Sequence, residues 1–443
     1  MMKKRIIITS MISILISLSL ISTATFALFT SESKNNVNIT AGEVLIDATL
    51  ENLKTYSLDK EQTSGSFQNG GTAVYQNSTL SLDKVSPGDK VTFTLKIVNK
   101  SNIGVKYMIN VTSNGELINA LVMLENDAEL RSPKWNYLTS NDNGKIIEKE
   151  YSIELPLHTG NEYQKLSSDI VISVYAVQAN APEEAIDGKI TVNGFNYNSL
   201  EEAVNVATRS NSTVYVLGNI DVEGALGTSQ TKDFSGVLIE GTENAQITFK
   251  NVSGSSSTGT CTFNNLNLKN IKVVDETYYS SENGENAWEF TYLEFAGNNN
   301  FEQVNFDDGI MITSGHTNFI DCSFIGHNND SSTFGNVTMY GAWVYSGSAN
   351  FTNCDFTGTR GLKVADYYSG SDVTKVVVEG CSFGPLSEKP GIAVDNRIGS
   401  LELIIKNCTF TNTQPGEQGN YIYEDDNKTP ASTIIVLENN VVN

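Results

Sequence analysis

The chain has 443 residues and a net charge of −22, with 39% apolar and 18% charged residues, the balance of a globular protein. That length is too great for one ordinary hydrophobic core and predicts two or three domains. An acidic surface of this size argues against nucleic acid or anionic lipid as partner, and a composition leaning to Asn, Ser, Thr and Gly favours strands and turns over long helices.

The first 27 residues, MMKKRIIITSMISILISLSLISTATFA, read as a secretory signal peptide. Lys3, Lys4 and Arg5 make a basic start, an apolar stretch runs from Ile6 to about Leu20, and Thr25 and Ala27 occupy the −3 and −1 positions of a cut before Leu28. Five Ser or Thr within the apolar stretch make it a poor permanent membrane span, which is the competing reading. Removal of this segment takes away three positive charges and no acid, lowering the net charge from −22 to −25. The expectation is an exported protein.

Within a first domain of residues 28–178, residues 38–178 alternate between apolar and polar side chains in several short runs. Val91–Asn99, Val105–Ser113, Tyr151–Leu157 and Asp169–Val177 have period two, and SPGD at Ser86–Asp89, SNIG at Ser101–Gly104 and NDNG at Asn141–Gly144 are turn signals between them. This predicts a β-sandwich. Glu116–Leu124 alone reads as helical. Residues 179–188 form a polar linker. A helix follows it, with Ser199 and Glu202 as a capping box and Leu200, Ala203, Val204 and Ala207 as its apolar face.

Residues 189–443 carry a repeat. NFIDCSF, NFTNCDF, VVEGCSF and IIKNCTF align on Cys322, Cys354, Cys381 and Cys408, with Val304 at the same place in NFEQVNF. Asn440 falls 32 residues after Cys408, and Phe263–Leu268 looks like an earlier member. Separations of 18, 32, 27 and 27 residues suit a solenoid in which one strand per coil is constant and the connecting turns vary. Simple alternation puts Ile320, Cys322 and Phe324 on the inner face and Phe319 and Asp321 on the other. Coils about 4.8 Å apart then stack the cysteines as an internal ladder of small hydrophobes. Five cysteines, an odd number, with no CxxC or CxxH spacing, disfavour a disulfide framework or a metal site, and Cys261 stands outside the register.

Three sets of residues bear on chemistry. Asp307, Asp308 and His316, in FDDGIMITSGH, could serve as the acid, base and partner of a glycoside hydrolase, although DDG is also an ordinary turn. A lyase would draw a Ca²⁺ site from Asp366, Asp372 and Asp395 and a base from Arg360, Lys363 or Arg397; all six read equally well as surface turn residues. Trp288, Trp343, Tyr340, Tyr345, Tyr367 and Tyr368 could form a sugar-stacking face or pack against long turns.

The stretch TFALFTSESKNNVNITAGEVLIDATL, with SPGDKVTFTLKIVNKSNIGVKY and LPLHTGNEYQKLSSDIVISVYAVQAN, resembles the camelysin/TasA family of biofilm-matrix proteins over about residues 1–180. The resemblance implies a jelly-roll-like sandwich, processing by a SipW-type signal peptidase, a Gram-positive-type bacterial source, and assembly with itself or other matrix subunits by donating the new N-terminal strand. The protease activity attributed to camelysin does not transfer, because the chain has no HExxH. The C-terminal half resembles the pectate-lyase-like right-handed parallel β-helix superfamily through its N-C-x-F motif, a likeness of fold alone. The reading is a secreted surface or matrix protein that needs no cofactor, with polysaccharide as one partner. Its alternative is a polysaccharide lyase or glycoside hydrolase, with Ca²⁺ only in the lyase case.

Overall fold

The computed structural model describes residues 30–33, 44–63, 65–126, 128–130, 135–142, 144–181, 190–223, 231–242, 244–250, 252–253, 262–275, 278–280, 287–288, 293–307, 309–326, 328–329, 337–338, 340–366, 374–387, 391–396, 400–411, 422–424 and 433–443. The cut site at Ala27 and Leu28 lies outside these, as do Cys261 and Asp308. The protein is all-β with long parallel sheets and one α-helix among the described residues. It divides into two compact units, residues 1–197 and 198–443. No described helix is long and apolar enough to cross a membrane.

The first unit holds two six-stranded antiparallel sheets. Their strands follow the period-two runs, and Asp89–Asn99 alternates without a break, burying Val91, Phe93, Leu95 and Ile97. It pairs with Ile46–Ser57 on one side and Ile146–Glu154 on the other. In the second sheet Ser167–Gln178 pairs along its length with Val105–Asn114. Its other edge is shared: Thr79–Asp83 covers residues 167–171, and the N-terminal strand Thr30–Ser33 covers Val174–Val177.

One expectation needs correction here. Glu116–Ala120 is only a short 3₁₀ turn, and Val122–Glu125 continues as a strand against Ile146–Glu154. The apolar residues fit a helix, but Leu117 and Met123 are buried by the sheets, and tertiary packing overrides the local pattern. The hairpin Ile190–Val192 to Phe195–Tyr197, which follows the linker, falls within the first unit and also heads the strand order of the 18-stranded sheet. The Met123 amide donates to the Asn193 carbonyl at 3.0 Å, which ties the hairpin tip to that unit.

The second unit opens with the helix Leu200–Ser210. Ser199 caps it, its Oγ accepting from the Glu202 amide at 3.2 Å, and Leu200, Ala203, Val204 and Ala207 are buried as the apolar face required. Beyond it the chain repeats one path. A strand of the longer parallel sheet leads to a corner, a second strand of that sheet follows, and then a strand of an eight-stranded parallel sheet, before the next turn of the path begins. His316–Ile320, Ser323–Gly326 and Tyr340–Val344 form one such turn, and Ser348–Thr352, Asp355–Gly358 and Arg360–Asp366 form the next, in register with it.

The corner explains the recurring cysteine. Asn270, Gln303, Asp321, Asn353, Gly380, Asn407 and Asn439 all have φ between 51° and 66°. These are residue types that adopt the left-handed region more readily than most, Gln303 excepted. One left-handed residue interrupts the alternation, so Phe319, Cys322 and Phe324 all face inward while Ile320 is 44% exposed. The simple alternation had Phe319 and Ile320 reversed.

Inside, identical side chains stack. Phe306, Phe324, Phe356, Phe383 and Phe410 form a column with ring centroids 4.6–5.1 Å apart and planes within 11°. Phe301, Phe319 and Phe351 form a second column. Between them stand Cys322, Cys354, Cys381 and Cys408, all buried and free. Each Sγ lies 3.4–3.7 Å from a main-chain carbonyl of the preceding coil: Phe301, Phe319, Phe351 and Val378 in turn. Asn440 takes the next place, its Oδ1 accepting the Cys408 amide at 2.9 Å. The earlier coil enters as Leu268, Ile271 and Val273, paired with Phe301, Val304 and Phe306. Phe263 belongs instead to the eight-stranded sheet.

Candidate functional site

The two arms of the proposed hydrolase site do not meet. His316 is in register with Asn298, at one end of Asn298–Phe306, whereas Asp307 follows Phe306 at the other end. Asp307 makes an ion pair with Lys272 at 2.6 Å, and His316 Nε2 is 3.0 Å from Asn318 Oδ1 and 3.3 Å from Asn350 Nδ2. His316 thus belongs to an outward amide ladder in which Asn350, Asn318 and Asn300 each donate from Nδ2 to the Oδ1 of the preceding coil at 2.9 Å. The chemistry available there is hydrogen bonding along the sheet.

Members of the other two sets do converge, on the outward side of the eight-stranded sheet. In-register pairing places Met311, Trp343 and Lys363 side by side on successive strands, and Tyr340 beside Arg360. Lys363 Nζ lies 4.3 Å from the Trp343 ring centre, and the Arg360 guanidinium 5.3 Å from that of Tyr340. Tyr345 meets Trp343 edge-on at 5.4 Å. Lys363 also pairs with the Asp395 carboxylate at 3.5 Å, with side-chain exposures of only 18% and 10%. At such burial an ion pair is held by its geometry, and removing one partner strands the other. The cluster therefore joins three aromatic rings, two cations and one carboxylate on one surface.

Why these residues project outward follows from the strand pattern. Gly341-Ala-Trp-Val, Gly361-Leu-Lys-Val and Gly391-Ile-Ala-Val repeat a glycine followed by inward, outward and inward residues. A Cβ at Gly341, Gly361 or Gly391 would lie 2.9, 3.0 or 2.7 Å from Phe324, Phe383 or Phe410 respectively. Gly341 and Gly391 therefore make room for the phenylalanine column, whereas a Cβ at Gly361 would first meet the Gly391 carbonyl oxygen and then Phe383. This G-Φ-x-Φ repeat, also seen at Gly309, is legible in the sequence and gives the register that the cysteine motif leaves open.

The remaining candidates stand apart. Asp366 ends the strand Arg360–Asp366 opposite Asn396, and Trp288 lies in the short strand Ala287–Trp288. Asp372, Arg397, Tyr367 and Tyr368 lie outside the described residues. Among those described, no group of three or more His, Cys, Asp or Glu is arranged to hold a metal ion. Three of the four ladder thiols are pushed up, whereas the hydrogen bond with Cys381 lowers Cys408. The hydrogen bond to Cys354, followed by burial, pushes Cys322 up. In Cys381 the bond from Cys354 lowers the value, but the bond to Cys408 and burial outweigh it and bring the thiol to about 12.

No family model matches this chain, and no curated protein matches it. Among solved structures, the crystal structure of the Agl-KA catalytic domain is similar at 10% identity and a TM-score of 0.21, over 92% of this chain and 100% of that one.

Proposed function

We propose that this is an exported surface or matrix protein whose first unit is a jelly-roll-like sandwich completed by an N-terminal strand. Its second unit is a right-handed parallel β-helix that displays a glycan-binding face. The observation that carries this is the seat of Thr30–Ser33. Thr79–Asp83 stops opposite Val171, leaving the edge of Val174–Val177 for a separate strand, and the residues that fill it begin two positions after the expected cut. A sheet edge completed by a short terminal strand accepts the same strand from a neighbouring copy with the same main-chain bonds. The repeated three-strand path supports the β-helix, and right-handed crossovers are the rule for parallel strands. The face around Trp343 supplies rings for sugar stacking with cations beside them.

Electron microscopy of the mature protein starting at Leu28, beside a version lacking residues 28–42, tests this. Filaments are expected only with the N-terminus intact, and monomers from both would sink strand-donated assembly. A second reading, a polysaccharide lyase or glycoside hydrolase, is favoured by the buried Lys363–Asp395 pair next to Trp343. It requires turnover of a uronate-containing glycan that is lost in Lys363→Met, whereas a display module binds without turnover.

A further inference from the structure

The outward side of the longer parallel sheet carries an arrangement of charge that nothing above uses. Thr374–Glu379, Leu401–Lys406 and Thr433–Glu438 are adjacent and in register. Their outward positions form three columns: Lys375, Glu402 and Ile434; Val377, Ile404 and Val436; Glu379, Lys406 and Glu438. Within the chain Lys375 pairs with Glu402 at 3.1 Å and Lys406 with Glu379 at 3.0 Å. The four charges thus alternate in sign around a central Val377 and Ile404, and the aliphatic column runs on to Val436, beside Ile434 at 59% exposure.

We propose that this face binds the same face of a second copy. A two-fold axis along the central column lays Val377, Ile404 and Val436 on their own counterparts, with the sheets about 10 Å apart as in face-to-face packing. The same rotation brings each left-hand residue over a right-hand one. Lys375 meets Glu379 of the other copy, and Glu402 meets Lys406. A face in which both columns read plus then minus would set like charges against each other; the alternation makes this one self-complementary. An apolar stripe rimmed by charges is the usual anatomy of an interface. Three short strands offer far less than the roughly 800 Å² per partner of a standard interface, so the contact is weak and counts where many copies are held side by side. It is separate from strand donation and uses none of residues 28–42.

Charge-conserving swaps test it in the full mature chain. Lys375→Glu with Glu402→Lys keeps the net charge and the intramolecular pair but sets like charges together across the axis. Adding Glu379→Lys and Lys406→Glu restores every cross-axis pair. Sedimentation velocity over a concentration series at physiological salt should show reversible self-association in the wild type, its loss in the double swap and its return in the quadruple swap. Matching thermal melting curves confirm that all three fold alike. A monomeric wild type at the highest concentration overturns the proposal. So does a double swap that associates like the wild type, or a quadruple swap that stays monomeric. Any strand-donated assembly would appear equally in all three and disappear on removing residues 28–42, which keeps the two interactions distinguishable.

Discussion

Phe356→Ala is the sharpest test of the stacked interior. The ring is fully buried, with Phe324 at 4.7 Å on one side, Phe383 at 4.6 Å on the other and Phe351 at 5.6 Å. Truncating a buried Phe costs about 3–5 kcal/mol through lost transfer energy and the cavity left behind. The upper part of that range applies here, because each flanking ring is itself pinned by the next member of the column and the coils cannot close the gap. Each stacked pair removed carries about 0.5–1.5 kcal/mol of that loss. Urea unfolding of the purified chain, read from the transition of the second unit, measures it. Phe67→Ala, in the core of the first unit, should leave that transition in place. Phe356→Leu should recover more than half of the loss. A destabilisation under about 1 kcal/mol for the alanine variant, in the range of a surface change, would refute the close-packed column.

Asn353→Val places a β-branched residue at φ 53°, and should lower the melting midpoint of the second unit by an amount equivalent to about 1–2 kcal/mol, while Asn353→Gly changes it little. The four ladder thiols should resist an aromatic disulfide reagent at pH 8, so at most one of the five cysteines reacts until denaturant is added; early reaction of more than one would contradict the buried ladder. Burial first and the Glu125 carboxylate second push the Tyr107 phenol up to about 12, and Tyr151 is raised by the same causes. The folded form therefore holds protons that the unfolded chain releases near pH 10. The stabilising contribution of these phenols is complete below that pH and is lost as pH rises toward 12. Ultraviolet titration should show late ionising tyrosines, and Tyr107→Phe should flatten the fall in stability over that window.

Much of the fold is written locally. Strict alternation in Asp89–Asn99 requires a half-buried strand because successive side chains of extended backbone point to opposite faces. Ser199 and the apolar face behind it specify the helix Leu200–Ser210 for equally local reasons. The candidate site was legible only as residue types. Tyr340, Trp343, Tyr345, Arg360, Lys363 and Asp395 are scattered over 56 positions, and only lateral pairing of successive coils brings them to one surface. His316 and Asp307 show the converse: close in sequence, they are separated by the length of a strand.

The sequence by itself determined that the chain is built from short strands, where its helix begins, and that a phenylalanine and a cysteine recur together. It could not determine which side chains of NFIDCSF point inward, because that depends on Asp321 standing in a left-handed conformation that alternation ignores. Nor could it give the Glu116–Leu124 segment its strand, which follows from pairing with residues 146–154, remote in sequence. Local rules fix the period of the backbone. The stacking of one coil on the next fixes which face of that period is inside, and so which residues meet.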